Sequence, residues 1–331
     1  MLDQESSDTA YTWGKPPQPP VPEDTVKALV TTAPAPLTLE LRSVPDPRPR
    51  PDEVLVEVHA TALNRADLLL AARRPAGSPL GLDVVGTVLR PASDGTGPAA
   101  GARVTGLAAN NAWAELAAVR ADRLTVIPDG VTDTDAVTLP VAGLTALYAL
   151  RRAGWLLGRH TLVTGASGGV GRTAVQLARA GGSEVTAWVG SAARGKGLAA
   201  LGAQVVTGYD EPPTAPVDIL VDSVGGEVFS TGYGLLRPGG VATVFGNTVR
   251  AELRLPADWG HARPGVRIEY LYLLDEVTRR DVPADLTLLL DLVVAGRLTA
   301  SPGLLTPWTD PQRAIDALYS REVNGKIVLS M

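Results

Sequence analysis

A short glycine-dense turn between a strand pattern and a helix pattern limits most strongly what this chain can fold into. It lies in residues 161–182, TLVTGASGGVGRTAVQLARAGG, where a small-and-apolar helical pattern follows the turn. So many glycines together serve no packing purpose, because a residue without a side chain fills no core volume. A strand, such a turn and a helix in that order form the context that a dinucleotide-binding motif requires.

Strand and helix patterns alternate through the second half of the chain. The strand patterns are HTLVTGA, SEVTAWVG, AQVVTG, VDILVDSV, GGVATVFG and VRIEYLYLL. Helix patterns lie in LPVAGLTALYALRRAG and near residues 170–181, 193–201, 226–236 and 283–296. The alternation predicts βαβ units and a mostly parallel sheet, which is an α/β Rossmann fold. The final AIDALYSREVNGKIVLSM predicts a helix and then a strand that returns to the first half of the chain.

The first half is rich in short strand patterns separated by Pro-rich turns, starting at Val26. Before it, residues 1–25 contain KPPQPPVPED, which favours an extended polyproline conformation. We interpret residues 1–25 as an N-terminal extension. It is either a solvated tail or a segment that docks on the body through Tyr11 and Trp13.

Composition excludes several classes of protein. The net charge of -5 and the absence of a basic stripe argue against nucleic-acid binding. With no Cys, the chain has no disulfide, no thiolate zinc ligand and no Cys nucleophile, and its 3 His are far apart, so no metal site is expected. No apolar run reaches transmembrane length and no leader pattern is present, so we expect a cytoplasmic protein without membrane contact.

The glycine turn supplies the small residues of the G-x-G-x-x-G pattern at Ala166, Gly168 and Gly171. They let the backbone approach a pyrophosphate, and the helix start offers free N–H donors. The residue type at the end of the next strand distinguishes NADH from NADPH as the cofactor. An acidic residue there would bind the ribose hydroxyl of NADH, whereas Ser191 and Arg194 stand there instead, with Lys196 nearby. Basic groups suit a 2′-phosphate, so the sequence favours NADPH, unless Arg194 is an ordinary solvated residue.

With these motifs in place, the chain resembles the medium-chain dehydrogenase/reductase superfamily, in its zinc-free quinone oxidoreductase-like branch. The resemblance runs from about Val26 to Met331. Its landmarks are VKALV, ALNRADLLLAARR, GLDVVGTV, GARVTG, LPVAGLTALYAL, GASGGVG, VDSVGG, VFGNT and NGKIVL. It implies a GroES-like β-rich barrel from residues 26–127 and 298–331, a Rossmann cofactor-binding domain from residues 128–297, and a cleft between them. It also implies a homodimer in which the strand VRIEYLYL of one copy pairs with the same strand of the other.

The resemblance assigns site residues by position. Thr145 would lie near the nicotinamide, and Gly168, Gly169, Val170 and Gly171, with Ala166 and Ser167 before them, would cradle the pyrophosphate. Ser191 and Arg194 would hold the 2′-phosphate and Tyr209 would lie beside the adenosine. The rest of the cofactor would be lined by Ser223, Phe245, Gly246 and Asn247. Structural alternatives stay open: core packing for Thr145 and Phe245, an exposed loop position for Tyr209, and a strand-end cap for Ser223.

Asn64 and Asp67 match the polar positions that this family places beside the nicotinamide, so they are candidate catalytic residues. The alternative is that they only fix their loop. Two departures affect the expected activity. No Tyr occurs between Arg65 and Arg90 as a proton donor, and the loop RRPAGSPLGLD is short. A shorter loop predicts a wider cleft for a bulky or polycyclic small molecule.

Three functions are compatible with the sequence. The first is an NADPH-dependent oxidoreductase that reduces a quinone or an α,β-unsaturated carbonyl compound without zinc. The second is a biosynthetic tailoring enzyme, a cyclase or isomerase, that uses the same cleft with no net redox change. The third is an NADPH-binding protein without turnover. Substrate identity, the proton donor and the role of the extension are not encoded in any motif of the chain.

Overall fold

The computed structural model describes residues 24–34, 37–109 and 111–331. Residues 1–23 of the predicted N-terminal extension lie outside the described residues, and they include Tyr11 and Trp13. The first described part forms β1 (Thr25–Pro34), β2 (Leu37–Pro45), β3 (Glu53–Leu63), α1 (Arg65–Ala71), β4 (Asp83–Arg90), β5 (Arg103–Leu107), β6 (Leu116–Arg120) and β7 (Leu124–Val126).

The middle of the chain alternates helices and strands. Its elements are α2 (Asp133–Ala136), α3 (Pro140–Ala153), β8 (His160–Thr164), α4 (Gly169–Ala180), β9 (Glu184–Val189), α5 (Ala192–Gly195), β10 (Gln204–Thr207), β11 (Val217–Asp222), α6 (Gly226–Gly234), β12 (Leu236–Val244), α7 (Trp259–Ala262), β13 (Arg267–Tyr270), α8 (Leu273–Glu276) and α9 (Val282–Val294). The last elements are β14 (Pro302–Pro307), α10 (Pro311–Tyr319) and β15 (Lys326–Ser330).

The strands of the middle part form a six-stranded sheet in the order β10-β9-β8-β11-β12-β13. All of its neighbours pair in parallel. Counted from β8, this is the 3-2-1-4-5-6 order of the doubly wound dinucleotide-binding fold, in which the ligand crevice lies where the order reverses. Here the reversal lies beside β8, and the glycine turn follows β8 directly.

The other strands form a seven-stranded sheet in the order β14-β15-β3-β4-β5-β7, with β6 also pairing with β3. β1 and β2 form an antiparallel pair of their own. β15 pairs antiparallel with β3, so one of the last strands of the chain lies inside a sheet whose first strand is β3. The predicted return of the last strand to the β-rich region is therefore confirmed, as is the α/β fold class with a Rossmann sheet and a GroES-like part.

α3 connects the two sheets. Nearly every residue of α3 is buried, which explains why its sequence is apolar on all sides. One continuous core contains Leu82 of the β-rich part, Leu144 of α3 and Ile219 of the Rossmann sheet. A shared core of this kind fixes the two parts against each other.

Several elements differ from the sequence-based expectations. The helices α1, α2, α7 and α8 and the strand β14 were not predicted. The helix expected near residues 193–201 is only α5, which ends at Gly195. Gly197 then takes a positive φ of 78°, which continues no helix. Within the described residues, no helix is both long and apolar enough to span a bilayer.

Candidate cofactor and active site

The glycine turn after β8 is packed more closely than the sequence suggested. A Cβ on Gly171 would lie 2.6 Å from the Ala166 Cα, so this glycine lets α4 pack against the end of β8. A Cβ on Gly169 would lie 2.7 Å from the Cγ and Cδ of Lys326. Gly165 has a φ of 59°, and its Cβ would lie 2.5 Å from the Ser223 hydroxyl oxygen. The expectation that these glycines serve no packing purpose is therefore wrong for three of them.

Gly168 differs from its neighbours. Among the described residues, only the Gly165 carbonyl oxygen, at 3.6 Å, would come within 4 Å of a Cβ placed there. Gly168 is also the N-cap of α4, and no side chain caps this helix start. The first N–H groups of α4 therefore have no side-chain acceptor, and an anion bound at this uncapped helix start would satisfy them. This cradle fits the pyrophosphate of a dinucleotide.

The carboxyl ends of β8 and β11 are joined by Asp222, which the sequence analysis did not single out. Its Oδ1 accepts a hydrogen bond from the Thr164 hydroxyl and its Oδ2 accepts one from the Gly225 N–H at 3.0 Å. Burial raises the pKa of Asp222. The Ser223 hydroxyl donates to the Thr164 carbonyl at 3.4 Å, which corresponds to the strand-end cap that was left open for Ser223.

The segment after β12 packs beside Ser223. A Cβ on Gly246 would lie 3.0 Å from the Ser223 carbonyl oxygen, and Phe245 packs partly buried against the core. The Asn247 side chain closes its own loop, because its Nδ2 donates to the Ala251 carbonyl at 2.7 Å. The structure therefore brings Ser223, Phe245, Gly246 and Asn247 together at one edge of the sheet, with packing and loop contacts for each.

Thr145 lies in the middle of the buried α3. Its side chain is 5% exposed and its hydroxyl donates to the Val141 carbonyl at 2.6 Å. The hydroxyl hydrogen is therefore already used inside the helix, and only its lone pairs remain for a ligand.

The opposite end of the cleft contains the residues predicted to hold the adenosine. Ser191 is the exposed N-cap of α5, and Arg194 lies on that helix. The half-buried Tyr209 ring packs edge-on against Trp188 with centroids 5.3 Å apart. Burial raises the pKa of the Tyr209 hydroxyl, while a hydrogen bond with the Gly165 backbone and the charge of Arg194 oppose that rise. The Gly165 backbone and the Arg194 charge are thus near enough to Tyr209 to affect the pKa of its hydroxyl.

At the inner end of the cleft, four side chains form a buried polar cluster, which we call the inner cluster: Asn64, Asp67, Asp83 and Lys326. The Asn64 amide Nδ2 donates to Asp67 Oδ2 at 3.0 Å and to Asp83 Oδ2 at 2.7 Å. Lys326 Nζ donates to Asn64 Oδ1 and, at 2.8 Å, to Asp83 Oδ2. Asp83 Oδ1 accepts from the Val141 N–H at 2.7 Å, so the cluster also holds the start of α3.

The inner cluster contains two carboxylates and one ammonium. Burial, and after it the negative charge of Asp83, raise the pKa of Asp67 to about 7, against the opposing effect of Lys326. Asp67 Oδ1 is buried and has no hydrogen-bond partner among the described residues. With Asp67 protonated at that oxygen, the three charges reduce to one ion pair between Lys326 and Asp83.

Asp83 and Lys326 were missed by the sequence analysis. Two signals were present: Asp83 is a charged residue inside the apolar run GLDVVGTV, and Lys326 is one of very few lysines in the chain. Charged residues are almost never fully buried unless they are paired, so a charged residue in a predicted core strand predicts a partner of opposite charge. The Lys326 stem also lies against Gly169, which places the cluster beside the start of α4.

Two family models match the chain. The alcohol dehydrogenase GroES-like domain matches residues 50–150, and a model described as zinc-binding dehydrogenase matches residues 201–329.

The curated relatives are long polyketide synthases. The chain is 37% identical over 213 residues to erythronolide synthase EryA2 from Saccharopolyspora erythraea, which covers 60% of this chain and 6% of that protein. It is 34% identical over 301 residues to the pikromycin polyketide synthase component PikAII from Streptomyces venezuelae, which covers 85% of this chain and 8% of that protein. The chain thus spans only a small fraction of the length of these relatives.

Solved structures align over nearly the whole chain. The quinone oxidoreductase from Coxiella burnetii has a TM-score of 0.81 at 26% identity and covers 93% of this chain and 100% of its own. Mycobacterial Rv1454c, complexed with NADPH, has a TM-score of 0.82 at 25% identity and covers 92% of this chain and 100% of its own.

Proposed function

Because the chain belongs to the medium-chain dehydrogenase/reductase superfamily and is quinone oxidoreductase-like, we propose that it is an NADPH-dependent reductase. Its proposed substrate is a quinone or an α,β-unsaturated carbonyl compound, reduced by hydride transfer without zinc. The observation that carries the proposal is the open cradle at Gly168, between the adenosine end and the inner cluster.

The described residues fit the cofactor. The proposal places the pyrophosphate on the turn from Ala166 to Gly171, and the adenosine with its 2′-phosphate beside Ser191, Arg194 and Tyr209. Thr145, Ser223, Phe245, Gly246 and Asn247 would line the nicotinamide half. The bound nicotinamide supplies a hydride to the substrate. NADPH rather than NADH is supported by the absence of an acidic residue after β9 and by the NADPH complex of the mycobacterial relative.

The inner cluster fixes its own loop and holds a proton. Both amide hydrogens of Asn64 are used by Asp67 and Asp83, so neither is free to polarise a substrate carbonyl. The geometry therefore favours the loop-fixing interpretation of Asn64. Asp67, whose pKa is raised to about 7, holds a proton at Oδ1 near neutral pH, and this keeps the inner cluster electrically balanced.

The donor set supports zinc-free chemistry. The sequence has no Cys. In residues 24–34, 37–109 and 111–331, no group of three His, Asp or Glu side chains is placed to hold a metal ion.

The proposal includes a homodimer in the cytoplasm. β13 is the last strand of its sheet, and Ile268 and Tyr270 on it are 42% and 68% exposed. An exposed apolar edge strand is a template for pairing with a second copy.

The polyketide synthase relatives support a biosynthetic role for the small-molecule substrate. The short loop after α1, in which Arg74 donates to the Pro79 carbonyl, supports a bulky or polycyclic substrate, because a short loop leaves more room beside it.

NADPH oxidation in the presence of quinones, enones and polycyclic aromatic ketones tests the proposal. We expect reduced-nicotinamide absorbance to fall only when one of these acceptors is added, with a product two hydrogens heavier by mass spectrometry. A product that forms while NADPH stays reduced would contradict the reductase and support the tailoring alternative. Bound NADPH with no product from any acceptor would support binding without turnover.

A further inference from the structure

A threonine, a histidine and an aspartate form a hydrogen-bonded chain outside the candidate cofactor site, and we call Thr87, His59 and Asp133 the His59 triad. His59 Nδ1 lies 2.7 Å from Asp133 Oδ2, and His59 Nε2 lies 3.2 Å from the Thr87 hydroxyl oxygen. All three residues are half-buried, so each is partly open to solvent. A hydroxyl, an imidazole and a carboxylate in this order have the geometry of a nucleophile, a base and the group that orients the base.

The hydrogen bonds determine which ring nitrogen of His59 carries the proton. Burial alone would raise the pKa of Asp133, but hydrogen bonds with Arg103 and His59 outweigh it and lower this pKa. Asp133 is therefore an ionised carboxylate, which only accepts hydrogen bonds, so His59 Nδ1 donates to it. In the neutral ring, Nε2 then has a lone pair that accepts from the Thr87 hydroxyl. This is the tautomer that a general base needs.

A β-bulge in β3 gives His59 its place beside Thr87. Val56 and Val58 pack in the core of the β-rich part, whereas Ala60 and Ala62 pack in the continuous core that includes α3. Alternate residues of a regular strand stay on one face, so β3 changes face where its register against β4 shifts between Val58 and Ala60. His59 is the extra residue at that shift. Bulges are over-represented next to active sites, where they re-aim a side chain.

Arg103 supplies a positive charge on the same face of the sheet. It is the direct cross-strand partner of Thr87, and the Cβ atoms of such partners lie about 5 Å apart. Its Nη2 donates to Asp133 Oδ1 at 2.6 Å and to the Val131 carbonyl at 3.0 Å. Its Nη1 makes no hydrogen bond to a residue that the structure describes. Acyl transfer needs such a donor, because negative charge develops on the carbonyl oxygen of the substrate.

The His59 triad is separate from the inner cluster. Thr87 follows Asp83 on β4 and lies about 13 Å further along the strand. Val85, which lies between them on that face of the strand, is fully buried. The proposed reduction uses none of the three side chains of the triad.

We propose that Thr87, His59 and Asp133 form a second catalytic site, in which the Thr87 hydroxyl is the nucleophile that hydrolyses small activated carboxylic esters. With Arg103 Nη1 as the donor to the developing charge, the site suits an ester whose leaving group needs little assistance, such as a phenolate. This activity goes beyond the proposed reductase and does not depend on bound NADPH.

The reaction balances without a cofactor. Thr87 Oγ1 bonds to the ester carbonyl carbon while its proton moves to His59 Nε2, and Asp133 stabilises the imidazolium that forms. The bond to the leaving oxygen breaks, that oxygen takes the proton from His59, and the acyl group stays on Thr87 as an ester. Water then attacks this ester with His59 as the base, which releases the carboxylic acid and restores the Thr87 hydroxyl.

Hydrolysis of p-nitrophenyl acetate tests the site. We would follow p-nitrophenolate absorbance for the wild type, Thr87→Val, Thr87→Ser and His59→Gln, and locate the acetyl group by peptide mass spectrometry after an acid quench. Val keeps the branched shape of Thr87 without its hydroxyl. The matched control is His160→Gln. His160 Nε2 also contacts a threonine hydroxyl, that of Thr186 at 2.8 Å, but no carboxylate that the structure describes pairs with the His160 ring.

We expect the wild type to hydrolyse the ester and to carry the acetyl group on Thr87 in the quenched sample. Thr87→Val and His59→Gln should each lower the rate above background about a hundredfold, which is the low end of what a positioned base contributes. Thr87→Ser should retain hydrolysis, because it keeps a hydroxyl at this position. His160→Gln should match the wild type.

An acetyl group found only on other residues, or equal rates for the wild type, Thr87→Val and His59→Gln, would overturn the proposal. Hydrolysis that is lost in His59→Gln but kept in Thr87→Val would also overturn it, because His59 would then act on water or attack the ester itself. If either variant does not fold, the position of the acetyl group in the wild type decides, since that measurement needs no substitution.

Discussion

The inner cluster and the adenosine end of the candidate site differ in whether their charged side chains are paired. At the inner end, Lys326, Asp83 and Asp67 are buried and bonded to one another through Asn64. At the adenosine end, Arg65, Arg194, Arg250 and Arg321 form no ion pair with a carboxylate that the structure describes, and the charges of the other three lower the pKa of Arg65. We expect the bonded inner cluster to contribute to the stability of the fold, and the arginines without a described carboxylate partner to contribute to anion binding. Perturbations of the inner end should therefore change stability, and those of the adenosine end should change binding.

The strongest test of this contrast is Lys326→Met. It leaves Asp83, which is 0% exposed, without its cation. Breaking a buried ion pair in this way costs about 3–5 kcal/mol of unfolding free energy. Urea denaturation measures the loss, and Lys196→Met, at an exposed lysine, is the control. A loss below about 1 kcal/mol would show that the inner cluster contributes little to the fold.

Neighbouring glycines give the second test. Gly169→Ala should cost about 1–3 kcal/mol, because its Cβ meets the buried Lys326 stem at 2.7 Å. Gly168→Ala should fold like the wild type but bind NADPH more weakly, because its Cβ enters the open cradle. Denaturation and calorimetric titration of both variants check this. Equal effects of the two substitutions on stability would remove the distinction between a packed and an open glycine.

The pH dependence of stability tests the proton on Asp67. Its pKa is raised to about 7 in the folded protein from an ordinary value of 3.8. Between these values the folded state keeps a proton that the unfolded state has lost, so stability falls as pH rises through this window. Compared with Asp67→Asn, the wild type should lose stability from about pH 4 to pH 7 and no further above it. A constant difference between the two proteins across pH 4–8 would contradict the raised pKa.

The smallest expected effects concern salt and Arg65. NADPH binding should weaken as ionic strength rises, because the four arginines at the adenosine end are exposed enough to be screened, and Arg65→Met should reduce this salt dependence. The stability of Arg65→Met should stay within about 0.5 kcal/mol of wild type. Calorimetric titration over a range of salt concentrations provides the measurement. A salt-independent Kd would mean that the four charges do not act on the cofactor.

Local patterns were enough to predict most of the fold. All six strands of the Rossmann sheet were predicted, because each is an apolar run bounded by turn residues. α1 was missed although Asn64 and Asp67 form a capping box at its start, a signal visible as N-x-x-D in the sequence. The helix predicted near residues 193–201 is shorter, because Gly197 takes a positive φ of 78° just after α5 ends at Gly195.

For the candidate site, the sequence predicted only the proximity of residues that lie on one motif. Ser191, Arg194 and the glycine turn follow consecutive strands, so their proximity follows from the fold. The inner cluster instead joins Asp83 to Lys326, which are 243 positions apart in the chain. No pattern in either segment specifies that register.

β15 and residues 320–324 before it affect when the candidate site is completed during synthesis. β15 pairs with β3, joining residues 327 and 63, and the Gly325 N–H donates to the Ser167 carbonyl of the glycine turn at 2.8 Å. A ribosome releases the whole Rossmann segment before this strand, and contacts between such distant segments form slowly. The nascent chain therefore exposes a finished glycine turn while Lys326 and Arg321 are still missing. Both ends of the cleft are completed together, by one late segment, and this couples maturation of the cofactor site to closure of the second sheet.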